Sequence, residues 1–182
     1  MREKIYISIL IIAAGLSGYA WADGNDFNLK DLKGAKRELS EALKSGPVLV
    51  SFWATWCHPC REELDQLQVL QQEFSDSNIC FFAVSIDAAK DRSLVKSLVQ
   101  SKKYSFAVLL DPEQSAMRNF GLTDVPGLFI LDRTGKIVYS HSGYQPGDEK
   151  EIRANISEVL ALTVIPVVES DTTGTKAERD SL

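Results

Sequence analysis

Two cysteines separated by two residues, Cys57-His58-Pro59-Cys60, are the side chains of this sequence best equipped for chemistry. A C-x-x-C pair can cycle between dithiol and disulfide, stand as a permanent disulfide, or supply half of a zinc site. With 3 Cys and 2 His in the whole chain there is no second C-x-x-C and no histidine pair, so a zinc site would be short of ligands and no metal is expected. Val48 to Ala54 is a nearly continuous apolar run, short enough for a buried strand. Leu64, Leu67, Leu70 and Phe74 then recur at helical spacing, which predicts an amphipathic helix over 59–75. The pair therefore sits where a buried strand hands over to a helix. The free N–H groups and the dipole at that helix start stabilise a thiolate, and a stabilised thiolate is reactive. One turn of helix holds both sulfurs within reach of a small ring, so Cys57 can attack a substrate disulfide and Cys60 can resolve the mixed disulfide. Pro59 is tolerated in the first turn, where a missing N–H costs little. His58, when protonated, adds a second positive influence on Cys57.

Other residues take plainer or divided readings. Glu63 shares a helical face with Cys60, Leu67 and Leu70, so it is either a partly desolvated acid able to move a proton or, with Glu62, one of two acids that favour the helix start. Trp53 reads as core and Trp56 as surface that a partner touches. Cys80, inside an apolar strand, reads as a packing thiol. His141, at a strand end, reads as a surface side chain.

The elements that must position the pair follow from patterning. Phe27 to Leu39 reads as a hairpin turning at Asp31-Leu32-Lys33-Gly34, and Ser40 as the cap of a short helix closed by Gly46-Pro47. Further strands are expected at 79–86 and 106–110, with an intervening helix carrying Leu94, Val95, Leu98 and Val99. Asp111-Pro112-Glu113 reads as a helix start, with Gly121 as its end. Strands at 128–131 and 136–140 flank Asp132-Arg133-Thr134-Gly135 as an antiparallel hairpin, and a last helix spans 148–162. Strands alternating with helices, finished by a hairpin and a helix, predict an α/β sheet with helices on both faces.

A chain of 182 residues, 45% hydrophobic and 25% charged, fits one soluble domain with extensions. A net charge of −5 leaves no cationic surplus for a phosphate backbone, so no nucleic-acid partner is expected. Residues 1–22 read as an export signal: Arg2 and Lys4, an apolar run, then Ala20-Trp21-Ala22 before a mature start at Asp23. The alternative is a retained membrane anchor over 5–22. Either address lies outside the cytoplasm, where a cysteine pair can be oxidised. The folded domain is expected over 23–165 and a disordered tail over 166–182.

Phe52-Trp53-Ala54-Thr55-Trp56-Cys57-His58-Pro59-Cys60 resembles the active-site segment of the thioredoxin superfamily. The wider pattern, roughly Phe27 to Leu162, is similar to its exported TlpA, ResA and CcmG branch, with a leading hairpin, an inserted helix and Val125-Pro126 before a strand. The resemblance implies a thioredoxin-like fold: a mixed central sheet with helices on both faces, an N-terminal hairpin extension and an inserted helix. It implies an exported, monomeric thiol-disulfide oxidoreductase without cofactor, which reduces protein disulfides through Cys57 and Cys60. The substrates would be protein thiols, among them apocytochrome c in cytochrome c maturation, and a membrane thiol carrier would be the donor. It places a cis proline at Pro126, facing the cysteines and presenting backbone to substrate; the residues alone leave open whether Pro126 is an ordinary turn proline. Trp56, His58, Pro59, Val125 and Pro126 would then contact substrate. Glu63 matches an acid of the TlpA and ResA branch. Three positions depart from the pattern: Ser51 replaces a buried acid, Asp65 a helix-kinking proline, and Gly127 a threonine, which would loosen the substrate groove. A peroxiredoxin-like peroxidase is the alternative enzyme, although Trp53 to Cys60 lacks its Pro-x-x-x-Thr/Ser-x-x-Cys segment. A binding module with an inert disulfide is the non-enzymatic alternative.

Overall fold

The computed structural model describes residues 25–163, so the expected export segment and tail lie outside the described residues. Asn28–Asp31 (β1) and Lys36–Glu38 (β2) form an antiparallel hairpin. Its turn is held by Asp31 Oδ1, which accepts from the Lys33 and Ala35 N–H groups, and by Gly34 at φ 89°. The chain continues through Leu39–Ser45 (α1), Val48–Trp53 (β3), His58–Glu73 (α2), Cys80–Ser85 (β4), a 3₁₀ turn at Ala89–Asp91 and Arg92–Lys102 (α3). Ala107–Leu110 (β5), Ser115–Asn119 (α4), Gly127–Leu131 (β6), Ile137–Ser142 (β7) and Glu149–Thr163 (α5) complete it. Every element expected from patterning is present.

The seven strands make one mixed sheet in the order β2-β1-β5-β4-β3-β6-β7. At its centre β3 runs parallel to β4 and antiparallel to β6, and all six of its residues are buried. Successive strand residues point to opposite faces. Ser51 Oγ meets Glu63 of α2, whereas the Phe52 ring lies 5.2 Å from that of Phe120, just beyond α4. Helices thus cover both faces. On the α2 side, α5 buries Ile152, Ile156 and Val159, and Arg153 Nε donates to the Glu73 carboxylate at the end of α2.

Two local expectations are corrected. Ser40 does not cap α1: it lies inside the helix, and its N–H donates to Asp26 Oδ1 from across the hairpin at 3.3 Å. α4 begins at Ser115 rather than at Pro112. Asp111 still serves it from a distance, because its carboxylate accepts from the Ser115 and Met117 N–H groups, while Pro112 and Glu113 form the intervening turn. Leu94 of α3 is exposed and only Val95 is fully inside, because a surface helix buries one stripe and Leu94 falls beside it. Among the described residues no helix is long and apolar enough to cross a membrane.

Candidate active site

β3 ends at Trp53 and α2 begins at His58, so Cys57 is the N-cap residue of α2. Its extended backbone (φ −84°, ψ 109°) leaves the sulfur to accept from the Cys60 N–H at 3.2 Å. That N–H is one of the donors every helix start leaves without a backbone partner, so the helix itself supplies the group that stabilises charge on Cys57. Cys57 and Cys60 are joined as a disulfide with Cα atoms 5.3 Å apart. Cys60 is completely buried and Cys57 retains 5% exposure, which makes Cys57 the outer sulfur.

The loop that carries Cys57 is fixed from β4. Asp87, itself buried, accepts from Thr55 N–H at 3.0 Å, from the Thr55 hydroxyl, and from Ser85 Oγ at 2.8 Å. Nothing local marks a carboxylate that holds a backbone 32 residues away.

Around the pair, Trp56 is 67% exposed, and His58 lies on the outer rim with Nδ1 3.9 Å from Glu62 Oε1. Pro59 occupies the first turn of α2. The Val125-Pro126 peptide is cis, and the Val125 carbonyl oxygen lies 3.8 Å from Cys57 Sγ. The Pro126 carbonyl is taken by the Gly143 N–H at 2.9 Å, which ties this loop to the end of β7. The structure therefore brings Trp56, Cys57, His58, Pro59, Cys60, Val125 and Pro126 to one end of the sheet. Gly127 does not loosen this region as expected. A Cβ there would stand 2.5 Å from Leu122 Cδ1, so the Leu122 side chain already fills the space.

Glu63, one turn beyond Cys60, is fully buried. Its Oε1 accepts from Ser51 Oγ at 2.6 Å, and Oε2 has no hydrogen-bond partner among the described residues. Burial pushes its proton affinity up to about 7; the Ser51 bond opposes that rise and the nearby Asp148 charge adds to it. Ser51 and Glu63 thus form a hydroxyl–carboxyl pair inside the core beside Cys60. His141 is not a free surface side chain: it is half-buried, stacks on Tyr139, and meets Asp148 Oδ2 through Nε2 at 3.1 Å. Cys80 packs as expected, and burial pushes its thiol up to about 11, away from thiolate chemistry. Asp65 accepts from Lys102 and from the Tyr104 hydroxyl, both at 2.7 Å, and so braces α2 against the segment after α3. No group of three metal-ligating side chains occurs among the described residues.

Residues 22–140 match the family model described as the AhpC/TSA family. The thioredoxin-like protein YneN of Bacillus subtilis (strain 168) is 33% identical over 132 residues, covering 72% of this chain and 76% of the relative. The thiol-disulfide oxidoreductase ResA of Bacillus thuringiensis (strain Al Hakam) is 28% identical over 164 residues, covering 82% and 93%. A crystal structure from Chlorobium tepidum, described provisionally as a thiol:disulfide interchange protein DsbE, superposes with a TM-score of 0.69 at 28% identity. It covers 76% of this chain and 95% of its own.

Proposed function

The chain belongs to the AhpC/TSA family with a thioredoxin-like fold and is a thiol-disulfide oxidoreductase; from that premise we propose that it works outside the cytoplasm as a reductant of protein disulfides. The observation that carries the reading is a closed Cys57–Cys60 pair at the start of α2, its outer sulfur beside the Val125 carbonyl and the exposed Trp56. In the reduced state the Cys57 thiolate attacks one sulfur of a substrate disulfide, forming a mixed disulfide and expelling the other sulfur as a thiolate. Cys60, losing its proton to the Glu63 carboxylate, then attacks Cys57 Sγ. The mixed disulfide breaks, the substrate leaves with both sulfurs reduced, and two electrons have passed from the enzyme, which is left as the disulfide. Trp56, His58, Pro59, Val125 and Pro126 form the surface on which an extended substrate segment lies.

The direction follows from opposing charges. The helix start and His58 stabilise a Cys57 thiolate and so favour the reduced enzyme, whereas Pro59 before Cys60 and a carboxylate at Glu63 favour the disulfide. With the second pair dominant, the potential lies below about −180 mV, nearer thioredoxin at about −270 mV than DsbA at about −120 mV. An export signal over 1–22, cleaved before Asp23, or an uncleaved anchor over 5–22, would deliver the 23–165 domain to an oxidising compartment, in bacteria the periplasm. There the enzyme would act as a monomer on cysteine-containing proteins, apocytochrome c among them, and a membrane dithiol carrier would re-reduce it. The 166–182 tail is assigned no role.

The test is a Cys60→Ser variant, which can form but not resolve the mixed disulfide. Proteins trapped on Cys57 identify the substrates, and a haem-binding peptide among them would place the enzyme in cytochrome c maturation. If no mixed disulfide accumulates with any reducible protein, the reductase reading fails. Peroxide consumption at a comparable rate would favour the peroxidase alternative instead.

A further inference from the structure

Ser51 and Glu63 are both completely buried, one inside β3 and the other one turn along α2 from Cys60. The Ser51 hydroxyl donates to Glu63 Oε1 at 2.6 Å, while Oε2 has no partner among the described residues. The two oxygens of this carboxyl group are therefore unlike: one is anchored to the central strand and the other is free. Residues three apart on a helix share a face, so the carboxyl group and the buried Cys60 are neighbours inside the core. A hydroxyl placed in this way keeps its bond in both charge states. Oε1 accepts from it when the group is ionised, and still accepts as a carbonyl oxygen once Oε2 carries a proton.

We propose that Ser51 is a positioning residue for the proton transfer at Cys60: its hydroxyl pins Oε1 of Glu63 and so assigns Oε2 as the oxygen that takes the proton. The idea rests on the role of Glu63 at Cys60 proposed above. In the resolving step the Cys60 S–H bond breaks and an O–H bond forms at Oε2. The electron pair left on the Cys60 sulfur attacks Cys57 Sγ. The bond from Cys57 to the substrate breaks, and its electrons leave with the substrate sulfur as a thiolate. Ser51 acts only through Glu63 and itself neither gains nor loses a proton.

The same bond bears on the pH at which the base is available. A hydrogen bond to an ionised oxygen is roughly twice as strong as one to a neutral oxygen, so the hydroxyl favours the carboxylate against the burial that favours the acid. The other groups facing Glu63 do not help the ionised form. Asp148, at the head of α5, strengthens the hold of Glu63 on its proton, and Asp148 is itself bonded to His141 of β7. Tyr139 of β7 and Tyr144 of the following loop keep their own protons more firmly because of the Glu63 charge, and the Tyr144 hydroxyl is turned to Glu149 of α5. β4 and β6 bring only Ala83 and Leu128 beside Ser51. Ser51 is thus the neighbour in direct contact that steadies the ionised carboxylate.

In the oxidised protein Cys60 carries no proton, so a carbon NMR titration of the Glu63 carboxyl, assigned by its loss in Glu63→Gln, reports that group alone. Ser51→Ala should raise its midpoint by about one pH unit, a tenfold change in proton affinity that reflects the lost preference of the hydroxyl for the charged oxygen. Ser51→Thr disturbs the packing but keeps the hydroxyl, and its midpoint should stay within about 0.3 unit of wild type. Ser51→Cys, of nearly the same size but a weak donor, should fall between wild type and Ser51→Ala. A Ser51→Ala midpoint that moves less than about 0.3 unit, or one matched by Ser51→Thr, overturns the inference. The second readout is the pH profile of mixed-disulfide resolution, whose midpoint should rise in Ser51→Ala in step with the carboxyl. A merely structural role would lower thermal stability and leave that midpoint in place, which also overturns the inference. If Ser51→Ala moves neither midpoint while Glu63→Gln slows resolution, Ser51 has no part and the role of Glu63 stands. If Glu63→Gln leaves resolution unchanged, the role of Glu63 at Cys60 fails and the inference fails with it.

Discussion

Replacing Glu63 by Gln should make the protein more tolerant of alkaline pH, by an amount that follows from the burial of one carboxyl group. In the folded protein Glu63 holds its proton up to about pH 7, whereas the ordinary value is 4.5. The folded state thus binds that proton more tightly than the unfolded state does. Stability from this group is fully present below about pH 4.5, is lost as pH rises through the window from 4.5 to about 7, and stays lost above it. At 1.36 kcal/mol for each tenfold, the loss is about 3 kcal/mol, with little solvent screening because the side chain is fully buried. Gln has nearly the same shape and no charge, so the variant lacks this pH dependence. Urea unfolding of both oxidised proteins at pH 4.5 and pH 8 gives a double difference in which every titrating group that does not interact with Glu63 cancels. With a slope of about 2 kcal/mol per molar urea, the wild-type midpoint should fall by about 1.5 M more than that of the variant. A double difference under about 1 kcal/mol would refute the reasoning, since it would mean that the ionised carboxylate is solvated or partnered in the folded state.

Iodoacetamide should label Cys57 before Cys60 in the reduced protein, with a Cys57 midpoint below the free value of about 8.5, because only Cys57 accepts from a helix-start N–H and keeps exposure. Mass spectrometry of timed quenches would reveal the opposite order if the roles are reversed. Gly127→Ala should cost about 1–3 kcal/mol by pushing on the Leu122 side chain, and Leu122→Ala in the same chain should recover part of it; additive losses in denaturant would count against the contact. Gly46→Ala should cost more, about 3 kcal/mol or above, since the new Cβ would collide with the backbone oxygen of Asn78, which cannot swing aside. Asp87→Ala leaves the Thr55 N–H and hydroxyl and the Ser85 hydroxyl without their acceptor, so it should lower stability by about 2–4 kcal/mol and slow insulin reduction; unchanged denaturant midpoints would show that the loop before Cys57 does not depend on it.

The elements were legible because each rests on a pattern shorter than itself. The apolar run of β3, the leucine spacing of α2 and the Gly135 turn between β6 and β7 need only local sequence and the burial of one face. The start of α4 was misplaced because Asp111 caps it through a carboxylate that reaches past a two-residue turn to Ser115 and Met117, a geometry that the Asp-Pro-Glu signature does not distinguish from a direct cap. Which of the apolar residues of α3 would be inside was not legible, because the helix buries a narrow stripe and the sequence does not say which of them lies at its centre: Val95 is buried and Leu94 exposed.

The placement of Cys57 at a helix start, with Cys60 one turn away, is likewise written in adjacent residues and was readable from them alone. The state of the groups around the pair was not. Glu63 is buried beside Ser51, twelve positions earlier; Asp87 holds Thr55 across 32 positions; Val125 meets Cys57 across 68; and His141 finds Asp148 only because β7 hands over to α5 on the α2 side of the sheet. Spacing in the chain determines which backbone forms and which face is apolar, because those depend on near neighbours. The proton affinity of a carboxyl group depends on the water excluded and the charges gathered by every element that packs around it, so for Glu63 only the assembled tertiary structure decides.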